Sequence, residues 1–316
     1  MTLKPLSETS QLYPLRQLAE ADEHGVLAII VGVDGPSYRP VGATMAIFPD
    51  RRLFGSLSSG CVEADISLHA EQALAANRPN LVRYGKNSPF LEISLPCGGG
   101  LDILLVPAPD QSVLSQICAD LIARKDTGMT IDRETGQLAV AEGIETGWNE
   151  GKFGIAMSPE LAFQVFGKGP EASTFARLAV SAGFDVTILS PDTETLDTAA
   201  EAGCKTHHLV DARYPAEMSA DAHTAVLLFF HDHEWEPPIL KSALTFPALY
   251  IGAQGSAAAR RNRNVELMAQ GINADEIARI KGPIGLVPSA RDARTLAVGV
   301  LAEVLATQSD THRATR

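Results

Sequence analysis

The stretch Leu161–Pro191 constrains the fold more than any other part of this 316-residue chain. An apolar run, Leu161–Phe166, leads into Gly167-Lys168-Gly169-Pro170-Glu171-Ala172. A helical segment with Phe175, Leu178 and Ala179 then ends at Gly183, and a second apolar run, Asp185–Leu189, follows. Gly-x-Gly-x-x-Ala between a strand and a helix is the dinucleotide fingerprint in the context it requires. The stretch predicts a Rossmann-like, doubly wound parallel sheet, with Gly167 and Gly169 as cofactor-binding positions. An acid for the ribose hydroxyls belongs at the end of the second strand, but Ser190 stands there and Asp192 lies two residues on. Two readings stay open: a nicotinamide site, or a Rossmann scaffold with another ligand or none.

The fingerprint sits in the second half, and the length favours two domains. Ala141–Pro159 reads as irregular, with Gly143, Gly147, Gly151, Gly154 and Pro159, and takes the boundary. The expected layout is α/β throughout: an N-terminal α/β domain over 1–157, the Rossmann-like domain over 158–308, and a flexible tail over 309–316. Net charge is −12, and Arg260-Arg261-Asn262-Arg263 is the one basic run, which argues against nucleic acid as a partner. No apolar run approaches the ~18 residues of a membrane helix, and the first residues lack the layout of a signal peptide. Cys61, Cys97, Cys118 and Cys204 are widely spaced with no C-x-x-C pair, which points to reduced thiols in a cytoplasmic protein.

In the first half, Leu12–Glu23 reads as a helix, Val26–Val33 and Ala43–Phe48 as strands, and Met129–Val140 as a hairpin turning at Glu134-Thr135-Gly136. Cys118 falls on the apolar face of a helix, Val113–Ala123, and reads as core. Between these elements lie two glycine–cysteine loops. In Gly55-Ser56-Leu57-Ser58-Ser59-Gly60-Cys61-Val62-Glu63, Ser58 or Ser59 is the expected N-cap of a helix from Val62, with Glu63 in its first turn. Free N–H groups there would hold an anion and lower the pKa of Cys61. The alternative is an ordinary capped turn with a half-buried thiol. Cys97-Gly98-Gly99-Gly100 offers an anion-binding concavity before the strand Leu101–Val106, or else a glycine bulge.

In the second half, the apolar strand Ala225–Phe230 releases into His231-Asp232-His233. Either His231 and His233 hold a metal, or the segment is a ligand loop at the carboxyl end of the sheet; the i, i+2 spacing favours the loop. His207, His208 and Cys204 read as strand edge. Leu249–Ser256 is another strand into a glycine turn, where Ser256 with Arg260 and Arg261 would clamp a phosphate or merely begin a solvated helix face. Leu296–Leu305 reads as a last amphipathic helix.

Several of these pieces together resemble the xanthine dehydrogenase accessory family (XdhC/CoxI) over nearly the whole chain. In the first half they are Arg39-Pro40-Val41-Gly42-Ala43, Gly55–Glu63 and Cys97-Gly98-Gly99-Gly100. In the second they are Phe166-Gly167-Lys168-Gly169, His231-Asp232-His233, Tyr250-Ile251-Gly252-Ala253 with Gly255-Ser256, Pro283-Ile284-Gly285-Leu286 and the helix Ala297–Ala306. The sequence departs from the family pattern at Ser59, at Ser190, at Ala257 and at Val287-Pro288-Ser289.

The resemblance implies a chaperone that binds molybdenum cofactor, as molybdopterin or its dinucleotide form, and protects it while its terminal sulfur is installed. It implies delivery to the large subunit of an apo molybdenum hydroxylase, a cysteine desulfurase as sulfur donor, and a homodimer. It marks Arg39, Ser58, Ser59, Gly60, Cys61, Glu63, Cys97, Gly98 and Gly99 as cofactor-binding, with Cys61 and Cys97 as soft contacts for the metal. Gly167, Gly169, His231, His233, Gly252, Gly255 and Ser256 form the matching set in the second half. The competing expectation is an NAD(P)-dependent oxidoreductase with His231 or His233 as proton donor. A pure interaction module leaves both glycine–cysteine loops unexplained.

Overall fold

The computed structural model describes residues 10–58, 60, 62–86, 88, 98–231 and 234–314. The chain divides into two compact units, Met1–Pro159 and Glu160–Arg316.

The N-terminal unit runs α1 (Leu12–Ala19), β1 (Val26–Asp34), β2 (Thr44–Ile47), β3 (Leu53–Gly55), α2 (Glu63–Ala76), β4 (Asn80–Gly85), β5 (Gly100–Pro107) and α3 (Gln111–Ile122). Its five strands form one antiparallel sheet in the order β3-β2-β1-β5-β4. The central strand β1 is apolar on both faces because both are covered. Leu27, Ile29 and Val31 pack with Leu15 and Leu18 of α1 and Leu114 and Ile117 of α3. The alternate residues Val26, Ala28 and Ile30 pack with Ile66, Ala70 and Ala73 of α2. Cys118 is buried in the first of these cores, and burial pushes its thiol up to about 11, which leaves it protonated and inert.

Four further strands complete this unit: β6 (Thr127–Asp132), β7 (Leu138–Val140), β8 (Gly147–Asn149) and β9 (Lys152–Met157), in the order β7-β6-β9-β8. The hairpin at Glu134-Thr135-Gly136 forms as expected, with the Asp132 carboxylate accepting the N–H groups of Glu134 and Thr135. The region Ala141–Pro159 is not irregular. Gly151, at φ +82, turns β8 into β9, and Phe153, Ile155 and Met157 point into the core at the two-residue period of a strand. Gly154 lies between them because a Cβ there would stand 2.8 Å from the Glu145 carbonyl oxygen.

The C-terminal unit runs β10 (Ala162–Gly167), α4 (Pro170–Ser181), β11 (Asp185–Ser190), α5 (Thr193–Glu201), β12 (Lys205–His208), β13 (Thr224–Phe229), α6 (Glu236–Ala243), β14 (Tyr250–Ala253), α7 (Ala257–Ala269), α8 (Ala274–Ala278), β15 (Ile280–Lys281) and α9 (Ala293–Ala314). Its sheet is wholly parallel in the order β12-β11-β10-β13-β14-β15, the Rossmann order. Helices cover both faces. Phe163 and Val165 pack with Phe175 of α4 and Val300 and Val304 of α9, whereas Val226, Leu228 and Ile251 pack with Ile239 of α6 and Leu267 of α7. His207 and His208 do lie in the edge strand β12. The tail expected from Ser309 is instead the last turns of α9, which continues to Ala314. Thr307 and Ser309 donate to the carbonyls of Glu303 and Leu305, four residues back, and so stay within the helix. Among the described residues no helix is long and apolar enough to cross a membrane.

Candidate functional site

In the N-terminal unit three loops leave the same rim of the sheet. Asp34 of β1, Gly85 of β4 and Gly100 of β5 stand in register, and Gly55 of β3 lies at the end where β2 begins. The Arg39 loop, the loop after Gly55 and the Gly98–Gly100 segment therefore meet the sheet at one edge. Two of them touch. A Cβ on Gly99 would stand 2.3 Å from the Pro36 carbonyl oxygen. Arg83 pins this corner: Nη1 donates to both Asp102 oxygens at 2.9 Å, Nη2 lies 3.5 Å from Asp34 Oδ2, and Nε donates to the Lys86 carbonyl. The Lys86 N–H in turn donates to the Gly99 carbonyl. Arg39 is partly buried on its loop, and burial pulls its guanidinium below the usual value.

These contacts rank the glycines. Gly99→Ala is expected to cost about 2 kcal/mol, because backbone must move to admit the methyl group. Gly98→Ala, at φ +70 with open space beside it, should cost about 1 kcal/mol from conformation alone. Thermal unfolding that ranks Gly98→Ala as the worse variant would contradict this packing.

The Gly55–Glu63 loop differs from its expectation. Helix α2 begins with Val62 as N-cap, not with a serine, and no side chain caps it. The anion in the loop is the chain's own. Glu63 Oε1 accepts from the N–H groups of Leu57 and Ser58 and from Ser56 Oγ, while Oε2 accepts from Ser58 Oγ at 2.6 Å and from the Val62 N–H. Burial alone would raise the Glu63 pKa. The Ser58 hydroxyl and the N–H groups of Ser58 and Gly60 outweigh it and hold the carboxyl at about 2. These donors are thus spent on Glu63 rather than left for an outside phosphate. What stays open is the glycine surface: a Cβ on Gly60 or on Gly98 would meet nothing within 4 Å. Ser59, Cys61, Cys97 and His233 lie outside the described residues. At the opposite rim, a hollow of about 270 Å³ between the strand ends and the far half of α2 is lined by Val26, Ile47 and Leu74; no site residue reaches it.

In the C-terminal unit Gly167, Gly169, His231, Gly255 and Ser256 follow or end strands at the carboxyl edge of the parallel sheet, where ligands of open α/β sheets settle. Gly167 ends β10, and a Cβ there would stand 2.7 Å from the Phe229 carbonyl oxygen, so its task is close strand packing. Across the switch point, His231 follows β13 with Nε2 3.4 Å from Glu171 Oε1. Gly255 and Ser256 follow β14, and Ser256 Oγ caps α7 by accepting from the Ala259 N–H. Gly252 is buried against the Tyr250 ring and Ile284 and makes room for them rather than for a ligand. Arg260 and Arg261 are exposed, the solvated-face alternative. Among the described residues no cluster of His, Cys, Asp or Glu is arranged to hold a metal ion.

Sequence reasoning missed the most buried charges of this edge. Arg263, 3 % exposed, pairs with Glu236, 0 % exposed, through Nη1 and Oε2 at 2.9 Å, and Nη1 also lies 3.3 Å from the Gln254 carbonyl oxygen. The signal was positional: Arg263 precedes the buried Leu267 by four residues and shares its helix face.

The architecture is thus a two-unit α/β protein whose second unit is a Rossmann sheet. Residues 163–304 match the model of the XdhC Rossmann domain, and residues 18–85 match that of the XdhC and CoxI family. The chain belongs to the XdhC/CoxI family. It is 34 % identical to the molybdenum cofactor insertion chaperone PaoD of Escherichia coli, over 88 % of this chain and 82 % of that one. It is 24 % identical to a probable xanthine dehydrogenase subunit of Bacillus subtilis, over 93 % and 96 % of the two chains. In fold it matches a crystal structure described as a xanthine dehydrogenase from Bacillus halodurans, with TM-score 0.75 and 22 % identity over 94 % of this chain and 95 % of that one.

Proposed function

We propose that this protein is a molybdenum cofactor chaperone. It binds the cofactor, shelters it while a cysteine desulfurase supplies its terminal sulfur, and inserts it into the large subunit of an apo molybdenum hydroxylase of the xanthine dehydrogenase type. The observation that carries the reading is the 34 % identity, across nearly the whole chain, to a relative named as a molybdenum cofactor insertion chaperone. It works in the cytoplasm as a homodimer and turns over no substrate of its own.

The residues divide the work by their chemistry. Cys61 and Cys97 are the soft ligands for the metal or its sulfur. Gly60 and Gly98 keep side chains out of the way of a flat, bulky cargo, which fits the open space beside both, while Gly99 lets the two loops touch. Glu63 and Ser58 hold the loop in shape, and Arg39 supplies positive charge to the cargo's phosphate. Gly169, His231, His233, Gly255 and Ser256 form the second contact set, on the Rossmann unit.

The test is retention. The full chain, loaded with molybdenum cofactor, is desalted and assayed for molybdenum by elemental analysis and for pterin by the fluorescence of its oxidised form. Cys61→Ala and Cys97→Ala should each lower retained molybdenum by about tenfold or more, at unchanged melting temperature. Both variants at the wild-type level would remove the thiols from the site. A wild-type chain that retains no molybdenum would overturn the function.

A further inference from the structure

The middle of α9 carries no charge on the side turned away from its sheet. The inward side is core, where Ala297, Val300 and Val304 are buried with Phe163, Val165 and Phe175. Glu303, the one charged residue between Thr295 and Ala306, is taken up by the loop before the helix, with Oε2 accepting the Gly285 N–H. The outward side runs Val298, Leu301, Ala302, Leu305, Ala306, at the three- and four-residue steps of one helix face. Val298 is 57 % exposed, Ala302 and Ala306 are exposed, and Leu301 and Leu305 are half-buried. A helix that is apolar all round belongs in an interior, yet this one has an open side.

The loop before the helix widens that side. Past β15 the chain crosses α9 at Gly299, with the Leu286 N–H donating to the Gly299 carbonyl. A Cβ on Gly299 would stand 3.3 Å from the backbone nitrogens of Leu286 and Val287, so the crossing is close. It sets Leu286, 59 % exposed, and Val287, 46 % exposed, one residue along from Val298. Single exposed apolar side chains are ordinary, whereas a contiguous group of them marks an interaction surface.

We propose that a second copy of the chain docks on this face, α9 against α9, antiparallel about a two-fold axis. The claim deepens the homodimer of the chaperone reading, on which it rests, by naming the surface. A two-fold contact has to be complementary to itself. An antiparallel pair centred on Ala302 sets Val298 of one copy opposite Ala306 of the other, each four residues from the centre. The bulky end of each stripe thus meets the small end of its twin, and alanine at the centre lets the helices come close. Charge points the same way. Each copy carries −12, which keeps copies apart, so self-association needs a face free of carboxylates. The size is sufficient as well. The outer half of an ~18 Å length of helix, with the loop, offers about 500 Å² per copy, or about 1,000 Å² in all, where stable interfaces begin.

The experiment measures the mass of the full chain in solution by sedimentation equilibrium across a concentration series. Wild type should be a dimer at micromolar concentration. Val298→Glu, which brings carboxylates to both sides of the contact, should weaken dimerisation by about a hundredfold or more. Its circular dichroism should stay that of wild type, because Val298 is exposed in the single chain. Ala302→Cys, at the axis, should cross-link the dimer under mild oxidation, whereas Ala269→Cys on the exposed face of α7 should not. A dimer that survives Val298→Glu, or an Ala302→Cys chain that cross-links no more than Ala269→Cys, overturns the proposal. So does a Val298→Glu chain that keeps its dimer but no longer binds the apo hydroxylase large subunit, since the face would then be the client's. A monomeric wild type overturns it too. Molybdenum retention, measured in parallel, separates the two claims. A wild-type monomer that retains molybdenum keeps the cofactor reading and loses this one. A dimer broken by Val298→Glu, from a chain that retains none, does the reverse.

Discussion

Replacing Arg263 with alanine is expected to destabilise the C-terminal unit by about 3–5 kcal/mol, the cost of leaving one partner of a buried ion pair alone. Glu236 is fully enclosed, so its charge would lose the guanidinium 2.9 Å away with no water at hand to replace it. The pair also ties segments together. Glu236 opens α6, after the His231 loop, while Arg263 reaches the Gln254 carbonyl behind β14, and its Nη2 would stand 3.0 Å from a Cβ on Gly282. Glu236→Gln should be nearly as harmful, because Arg263 would then be the stranded charge. The double change Arg263→Met with Glu236→Leu should recover most of the loss, since two apolar side chains fill the same space without desolvated charge. Denaturant unfolding of the full chain measures all three. A loss below about 1 kcal/mol for Arg263→Ala would mean that the pair is reached by water after all.

The second large effect depends on pH. Glu63 is held at about 2 in the folded chain, against its ordinary 4.5. A depressed carboxyl stabilises the fold fully above the unfolded value and loses that contribution as the pH falls from 4.5 through 2. The amount is about 3 kcal/mol. Glu63→Gln should therefore cost roughly that much at pH 7, where the N–H groups of Leu57, Ser58 and Val62 lose their charged acceptor. Near pH 2 the gap between variant and wild type should shrink toward its smallest value. A gap that stays constant from pH 7 to pH 2 would show that the carboxylate is not what holds the loop.

The parts of the fold legible in the sequence were those where composition and period agree. Phe163 and Val165 before Gly167, and Phe175 and Ala179 after it, could serve only a strand and a helix packed face to face, and the parallel sheet followed. The hairpin at Gly136 and the two-faced strand from Val26 were legible for the same reason. Glycine hid the β8–β9 hairpin: Gly147, Gly151 and Gly154 resemble a loop, although Phe153, Ile155 and Met157 keep strand period between them. Polar residues hid the last turns of α9, because Thr307 and Ser309 satisfy their hydroxyls on the helix itself.

At the site, the glycines of each loop were readable, but not what fills them. A glutamate in the first turn of a helix looks the same in sequence whether it faces solvent or folds back into the loop, as Glu63 does. Arg263 was read as one of a basic run, when its neighbours Arg260 and Arg261 face water and it alone turns inward.

Three loops rising from one rim of the antiparallel sheet have a consequence for how such a protein can diverge. The residues of the loops and the residues that pack are segregated along each strand. Lengthening or recomposing one of these loops leaves Leu27, Ile29 and Val31 on one side, and Val26, Ala28 and Ile30 on the other, with the same neighbours. Grafting the loops of one relative onto the framework of another would transplant their side chains without asking the recipient to relearn how to fold.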